Sequence, residues 1–508
     1  MAEKLTNEQQ AAVDSRERSL LVSAAAGSGK TKVLVERLFS YVEREGANLD
    51  DFLIITYTRA AASELRGKIA KALTERMERD PGNYHLRQQM LRVYRADIKT
   101  VDAFCTALLR ENCHLLGEDA RGHALRPDFR VLDENEAQVL RERVLARTLD
   151  DFYDCLTPGG TLLADTLGAG RDDSALEDLV LELHAKLQAQ PYEDKWLEAQ
   201  RAFWRAVPDK IEDTPYGKIL LNEVRRKARH CKNLLQRAAQ EMCANDALNQ
   251  KYAPAFLDAS YQLEALEGKT AEGWDAARGV TIAFPRLAAV KDSDGGEMKA
   301  RMKSLWDNCK ETVKGFAEIF SASSDEAVED LRTMASAMLA LIDLTADFSR
   351  RYNEEKRRRN SADFSDQEHE AIRLLIGEDG APTELARIVS ARYREIMVDE
   401  YQDTNEVQNR IFDAISCKGE NLFTVGDVKQ SIYRFRLADP RIFLQHYNTW
   451  PPLEDAEEHD SAKLLLSRNF RSRKEVLDAT NFIFCNILSE EMGELDYGAD
   501  EMLRLGAN

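Results

Sequence analysis

The residues best suited to chemistry lie near the start of the chain, in a glycine-rich loop that ends in Lys30 and Thr31. Residues 24–31 read Ala-Ala-Ala-Gly-Ser-Gly-Lys-Thr, with alanine at the first glycine position of a Walker A loop. Such glycines let backbone N–H groups surround phosphate oxygens, aided by the dipole of the following helix. The loop predicts that Lys30 neutralises the β and γ phosphates and that Thr31 ligates Mg²⁺. The alternative is a Gly/Ser turn that caps a helix carrying a lysine.

A pair of adjacent acids follows an apolar run much later in the chain. Residues 396–403 read Ile-Met-Val-Asp-Glu-Tyr-Gln-Asp, so a strand would end at Asp399 and Glu400. One carboxylate of such a pair can hold Mg²⁺ while its neighbour takes a proton from an attacking water. We assign the metal to Asp399 and the base to Glu400. Taken alone, the pattern also fits a strand end with solvated acids.

The next apolar run also ends in polar residues, at Gly426-Asp427, with Gln430 just beyond. Gln430 is placed to sense the γ phosphate. Residues 433–436 read Tyr-Arg-Phe-Arg and set aromatic rings between arginines. Rings in that arrangement can stack on bases while the arginines neutralise phosphates. The alternative for this tetrad is packing in an amphipathic helix or a turn.

These residues need a parallel sheet to bring them together. Apolar runs at 19–23, 52–56, 98–101, 395–398 and 422–425 predict strands buried on both faces, and a helix is predicted to start near Lys30. Between them, helical periodicity dominates, with loops predicted at 158–160 and 291–296 and a short strand left open at 280–284. The predicted fold is an α/β P-loop domain interrupted by a large helical insertion.

We expect four segments: 1–110 and 361–450 form the α/β domain, 111–360 the helical insertion, and 451–508 the start of a second α/β domain. The 508 residues carry a formal charge of −19, which is weak evidence about a nucleic-acid partner because binding depends on local patches. Eight scattered cysteines without a C-x-x-C pair argue against a zinc ribbon or a disulfide scaffold. Without a signal-like start or an apolar run of about 18 residues, the cytoplasm is the expected location.

The motifs, taken in order, resemble those of superfamily 1A helicases of the UvrD/Rep type. Residues 5–9, Leu-Thr-Asn-Glu-Gln, resemble the Q motif, which implies that Gln9 reads adenine. Residues 57–61 and 100–104 resemble two single-strand DNA motifs, and residues 362–366 the segment that leads back from the insertion. The resemblance implies nucleotide contacts from Ala26, Gly27, Ser28, Gly29 and Lys32, and DNA contacts from Tyr57, Thr58, Arg59 and Thr100.

Two further segments carry the resemblance towards the end of the chain. Residues 426–436 are similar to GDxxQSIYRWR, which implies DNA contacts from Tyr433, Phe435 and Arg436, with Phe435 at the base-stacking tryptophan. Residues 467–472, Ser-Arg-Asn-Phe-Arg-Ser, resemble motif IV and imply that Phe470 stacks on adenine while Arg471 reaches the γ phosphate. Within the superfamily, the sequences of these motifs resemble those of AddA, the helicase-nuclease subunit of bacterial AddAB.

The resemblance implies that the α/β parts are RecA-like domains. It also implies an enzyme that uses ATP and Mg²⁺ to move 3′ to 5′ along single-stranded DNA. Its further implied partners are duplex DNA and an AddB-like subunit. Because family members continue well beyond Arg471, we expect this chain to be the N-terminal part of a longer enzyme. Basic runs at 225–229 and 356–359 predict either solvated helix faces or duplex contacts. The open alternatives are a nucleotide-gated binding module without turnover and a stand-alone UvrD-like helicase.

Overall fold

The centre of the molecule is a parallel sheet whose strands are buried on both faces. A computed structural model describes residues 5–118, 121–167, 174–416, 419–433, 437–490 and 495–506. The strands are β1 Leu20–Ala24, β2 Phe52–Ile55, β3 Asp97–Lys99, β4 Arg130–Val131, β5 Ser361–Ala362, β6 Glu395–Val398, β7 Leu422–Gly426, β8 Ala462–Leu466, β9 Arg468–Asn469 and β10 Arg504–Leu505. Six of them form one sheet in the order β3-β2-β6-β7-β1-β8, which confirms the predicted α/β class.

Helices cover both faces of this sheet and also form the insertion, which has cores of its own. They are α1 Asn7–Asp14, α2 Lys30–Glu45, α3 Arg59–Arg79, α4 Tyr84–Arg92, α5 Val101–Asn112, α6 Glu134–Asp154, α7 Pro158–Leu167, α8 Ser174–Gln188, α9 Glu193–Arg205, α10 Pro215–Met242, α11 Asp246–Lys251, α12 Ala253–Lys269, α13 Trp274–Arg278, α14 Asp292–Ile319, α15 Ser324–Arg358, α16 Phe364–Leu375, α17 Glu384–Arg392, α18 Glu406–Ile415, α19 Pro440–Thr449 and α20 Lys474–Ile487. Leu20 and Val22 of β1 pack on one face, and Leu21 packs on the other. This two-sided burial explains why the strands read as continuous apolar runs.

The register of the sheet places the predicted motifs at one edge. Ile55 pairs with Val398, and Val22 pairs with Val425, so β1, β2, β6 and β7 all end on the same side. Parallel strands align their carboxyl ends, and ligands of open α/β sheets bind beyond those ends. The sheet therefore positions the glycine-rich loop and the acidic pair together.

The helical insertion leaves and re-enters the α/β domain through one small strand pair. β4 and β5 pair in parallel, with Arg130 opposite Ser361, and helices α6 to α15 lie between them along the chain. The loop predicted at 158–160 is instead the first turn of α7. Glycine suits that turn because a Cβ on Gly159 would lie 2.3 Å from the backbone oxygen of Ser336. The structure has no strand at 280–284, which belongs to the described residues.

Two other regions differ from the sequence expectation. Residues 291–296, predicted as a loop, contain the start of α14, with non-helical backbone at Gly296. The strand β8, expected to open a second domain, pairs with β1 along its whole length, from Leu20–Ala462 to Ala24–Leu466. The first sheet therefore extends beyond residue 450. The sequence of an apolar strand does not indicate which sheet the strand joins, so the position of β8 could not be predicted from sequence alone.

A buried ion pair joins the helix after the glycine-rich loop to the strand before the acidic pair. The guanidinium of Arg37 donates two hydrogen bonds to Glu395, from Nε at 2.9 Å and from Nη2 at 2.5 Å. The Tyr41 hydroxyl donates a third, at 3.0 Å. Neither charged side chain has more than 2% of its surface exposed. This pair locks α2 onto β6 at the end of the sheet opposite the site.

We expect Glu395→Ala to lower the free energy of unfolding by about 3–5 kcal/mol, because it leaves the Arg37 charge buried without its partner. Urea unfolding followed by circular dichroism measures the change. The control is Glu64→Ala, which removes an exposed pair with Lys68 within α3 and should cost less than about 1 kcal/mol. Equal midpoints for the two variants would contradict the structural role of the buried pair.

Candidate functional site

The glycine-rich loop connects β1 to α2 and uses backbone shapes that favour glycine. Gly27 and Gly29 have φ of 70° and 85°, and Gly29 caps the start of α2 at Lys30. Side chains are disfavoured in that left-handed region. Ala24, at the first glycine position of the motif, is the last residue of β1, where ordinary extended backbone accepts alanine. The departure from the motif therefore leaves the loop intact.

Lys30 meets the acidic pair across the sheet. Its Nζ lies 2.8 Å from Oε2 of Glu400, a residue 370 positions away in the sequence. Glu400 is the second residue after β6 and has φ of 53°, an uncommon conformation for a residue with a side chain. Its N–H donates to Oδ1 of Asp399 at 3.0 Å. The candidate phosphate-binding lysine and the candidate base thus share one site.

Asp399 sits in an environment where burial outweighs the nearby charge of Lys30. Burial raises its pKa, and the neighbouring Glu400 charge raises it further, to about 6. Burial also raises the pKa of Asp403, again to about 6, with Glu400 as the second cause. A bound cation would favour the charged form of these acids. The carboxyl edge of β6 is therefore suited to receive positive charge.

Thr31 and Asp399 fit the predicted Mg²⁺ role by their chemistry. Both offer hard oxygen ligands, and Mg²⁺ is usually held by one or two carboxylates together with substrate phosphates. Within the part of the chain that the structure describes, no cluster of three or more His, Cys, Asp or Glu side chains could hold a metal ion. The hydroxyl of Ser28, in the same loop as Thr31, is buried without a hydrogen-bond partner among the described residues.

Two segments from elsewhere in the chain hold the glycine-rich loop. Gln9 donates from Nε2 to the Ser28 carbonyl at 2.9 Å, while its backbone takes part in a capping box with Thr6. Asn469 donates from Nδ2 to the Ala26 carbonyl at 2.6 Å, and the Phe470 N–H donates to the Gly27 carbonyl at 2.9 Å. The loop is therefore held through its carbonyls.

The segment 468–472 lies against the glycine-rich loop. A Cβ on Gly27 would lie 3.0 Å from the Cβ of Arg471, and the ring of Phe470 is 48% exposed. The N–H groups of Arg471 and Ser472 both donate to Oδ1 of Asn469, at 2.8 Å each. Asn469 was missed by the sequence reasoning, although it stands next to the two residues that were singled out. Lys32 lies in the first turn of α2, close to the same loop.

The candidate sensor Gln430 belongs to the segment after β7. It donates from Nε2 to Oδ2 of Asp427 at 2.7 Å, and Lys429 pairs with Oδ1 of the same carboxylate at 2.9 Å. Lys429 also pairs with Glu501. Asp427 is buried and organises this turn. The structure therefore places Gln430 at the same edge of the sheet as Glu400.

Of the candidate DNA residues, Tyr57 and Thr100 line an open cleft of about 340 Å³ at this edge. Tyr57 and Tyr433 bring their ring centroids within 5.2 Å at an angle of 31°. Thr58 and Thr100 cap α3 and α5, accepting from the N–H groups of Ala61 and Ala103. The cleft also touches Asp399, Glu400 and the insertion residues Gln188 and Ala189.

Arg59 occupies the start of α3, where its charge acts on the second predicted DNA motif. The residue is exposed beside Asp102. Burial raises the pKa of Asp102, and the Arg59 charge offsets only part of that rise. The predicted contacts Phe435 and Arg436 lie outside the described residues, as does Arg434.

The basic side chains of both runs in the insertion form ion pairs or hydrogen bonds within the protein. Lys356 is 1% exposed and lies 2.9 Å from Asp363 and 2.6 Å from Asp366, so both alternatives, a solvated helix face and a duplex contact, are wrong for this residue. Arg357 pairs with Glu370, and Arg358 and Arg359 pair with Glu355. In the other run, side chains pair with Thr270, Glu223 and Glu267. A run of charges in sequence gives no indication of such partners.

The comparisons with known proteins agree with this geometry. The family model for the UvrD/REP helicase N-terminal domain matches residues 5–451. The A subunits of the ATP-dependent helicase/nuclease from Ruminiclostridium cellulolyticum and Acetivibrio thermocellus are each 36% identical over 99% of this chain and 41% of their own length. The protein of the same name from Desulfitobacterium hafniense is 37% identical over 99% of this chain and 37% of its own length.

The chain thus spans about two fifths of the length of these curated relatives. No helix in the described ranges is long and apolar enough to cross a membrane. Because the family model covers most of the chain and the P-loop, acidic pair and sensor segment meet at one edge, this chain belongs to the UvrD/REP helicase family.

Proposed function

We propose that this chain is an ATP- and Mg²⁺-dependent helicase module that moves 3′ to 5′ along single-stranded DNA. The observation that carries the proposal is the contact between Lys30 and Glu400 at an edge that also holds the ring pair of Tyr57 and Tyr433. One edge then offers a phosphate site and a base-stacking site. The module would serve an AddA-type helicase-nuclease in double-strand break repair by homologous recombination.

Each residue of the nucleotide site has a role that follows from its chemistry. A nucleotide phosphate would compete with Glu400 for Lys30, and the released carboxylate could then accept a proton from the attacking water. Thr31 and Asp399 would hold Mg²⁺, which neutralises charge on the β and γ phosphates. Arg471 would stabilise charge on the γ phosphate, and Gln430 would sense it. Gln9, Lys32 and Phe470 would hold the adenine.

The DNA contacts and partners follow from the cleft and from the resemblance. Tyr57, Tyr433 and Phe435 would stack on bases, with Thr58, Arg59, Thr100 and Arg436 on the backbone. The further partners that we propose, in the cytoplasm, are duplex DNA ahead of the strand and an AddB-like subunit. A module that binds DNA without turnover is the competing function, and variants of Lys30 and Glu400 separate the two.

Lys30→Ala should lower Mg²⁺-dependent ATP hydrolysis of the 508-residue chain by at least about 100-fold, because the charge that meets the phosphates is removed. Turnover is measured with and without single-stranded DNA, which should raise the wild-type rate. The control is Lys314→Ala, an exposed lysine of α14 paired with Glu311. Hydrolysis that survives in Lys30→Ala would exclude this site as its source.

Glu400→Gln should keep nucleotide and DNA binding and lower turnover by about 10²–10⁴-fold, the usual contribution of a general base. The substitution keeps the side-chain size and removes only the basic carboxylate. Binding is measured by fluorescence titration and turnover by phosphate release. If the wild-type chain binds both ligands but hydrolyses ATP no faster than Glu400→Gln, the result would favour the binding module.

Tyr57→Ala should weaken binding of single-stranded DNA by about 1–3 kcal/mol, since base stacking on one ring contributes about that much. Fluorescence anisotropy with a short labelled oligonucleotide measures the affinity, and Tyr57→Phe should restore it. Tyr94→Ala is a matched control, because that ring is 75% exposed and follows α4 outside the cleft. If both alanine variants bind equally, the cleft is not the DNA site.

A further inference from the structure

Gln402 connects the candidate catalytic base to the segment that carries the DNA-facing ring. Its Nε2 donates to Oε2 of Glu400 at 2.8 Å. Its Oε1 accepts from the Asp427 N–H at 2.9 Å. One amide side chain therefore spans the ends of the neighbouring strands β6 and β7. Neither the sequence motifs nor the nucleotide site gives this residue a role.

The surroundings of Gln402 hold its side chain in one place. The residue is 2% exposed, and its backbone carbonyl accepts from the Ser431 hydroxyl at 3.2 Å. A Cβ on Gly426 would lie 2.5 Å from Oε1 of Gln402, so the absence of a side chain at Gly426 makes room for the amide. A buried amide with both ends bonded has little freedom to turn. A shift of the end of β7 would therefore be transmitted through Gln402 to Glu400.

The ring of Tyr433 lies at the far end of the same short segment. Residues 427–433 run from the Asp427 N–H, through the turn at 428–430, to the contact with Tyr57. Ser431 in the middle of this segment also bonds to Gln402. A base that displaces or stacks on Tyr433 must shift this segment. Gln402 is bonded to it at two points.

Glu400 needs such a support once nucleotide is present. Its side chain is 38% exposed and its backbone is left-handed, and in this structure Oε2 receives Lys30 and Gln402 together. Phosphate would draw Lys30 away, and the amide of Gln402 would still hold the carboxylate. A catalytic group must be held within about 0.5 Å of its productive geometry to act efficiently.

We propose that Gln402 is a positioning residue that holds Glu400 for hydrolysis and couples it to occupancy of the DNA cleft. The inference rests on the proposed function, because it requires nucleotide beside Lys30 and DNA beside Tyr433. DNA binding orders the segment 427–433, the segment fixes Gln402, and Gln402 fixes the base. The hydrogen-bonded bridge supplies a physical path between two ligand sites.

Gln402→Ala should leave the affinity for each ligand alone unchanged within about twofold and should lower DNA stimulation of ATP hydrolysis by about tenfold. The KM for ATP should stay near the wild-type value while the DNA-stimulated kcat falls. Gln402→Glu keeps the acceptor for the Asp427 N–H and loses the donor to Glu400. Its carboxylate would be buried against that of Glu400, so this variant should lower the melting temperature and lose stimulation as strongly as Gln402→Ala.

The matched control is Gln89→Ala. Gln89 is buried, accepts from the Leu49 N–H at 2.9 Å and donates to Asn48 at 3.1 Å. Its side chain therefore makes the same kinds of hydrogen bond as that of Gln402, but outside the candidate site. Its loss should lower the melting temperature without changing DNA stimulation. A fall in stimulation that matches the Gln402 variants would assign the effect to general stability and overturn the proposal.

A second measurement does not depend on turnover. The affinity for a labelled oligonucleotide, with and without a non-hydrolysable ATP analogue, gives the coupling between the two sites. We expect coupling of about 5-fold or more in the wild-type chain and none in either Gln402 variant. Coupling that persists in both variants, or is absent from the wild type, overturns the role of Gln402. Wild-type chain without Lys30-dependent hydrolysis instead contradicts the proposed function.

Discussion

Parallel strand pairing is the constraint on which the site depends. Because β2, β6, β7 and β1 are neighbours and point the same way, the residues that follow each strand meet at one edge. Lys30 and Glu400 touch although 370 positions separate them. The insertion that accounts for most of that separation enters and leaves through the β4–β5 pair. The entropy of closing a loop rises only slowly with its length, so a large insertion leaves the sheet geometry intact.

The strand β6 shows how the molecule distributes charge between stability and chemistry. At its start, Glu395 is neutralised by the buried guanidinium of Arg37. At its end, the pKa of Asp399 is raised to about 6 by burial and by Glu400. The first acid anchors the strand, whereas the second is left with charge that a cation can stabilise. The four residues of β6 thus connect a neutralised acid at one end to an acid with a raised pKa just beyond the other end.

The sequence was sufficient for features that depend on local pattern. Strands buried on both faces leave continuous apolar runs, and the glycine-rich loop between β1 and α2 is local in sequence, so these predictions held. Contacts between residues of different structural elements could not be predicted from it. The burial of Lys356 depends on Asp363 and Asp366, and the helical turn at Gly159 depends on its close approach to Ser336. The pattern of residue types does not indicate which residues folding will bring into contact.

Residues after β8 show why domain boundaries drawn from sequence can separate parts of one site. The carbonyls of Ala26, Gly27 and Ser28 accept hydrogen bonds from Asn469, the Phe470 backbone and Gln9. Once its carbonyls are engaged, the loop is oriented to offer its N–H groups to an anion, which lowers the cost of ordering it on binding. Asn469 follows β8, which is itself part of the first sheet. The segment expected to begin another domain therefore helps to shape the candidate phosphate site.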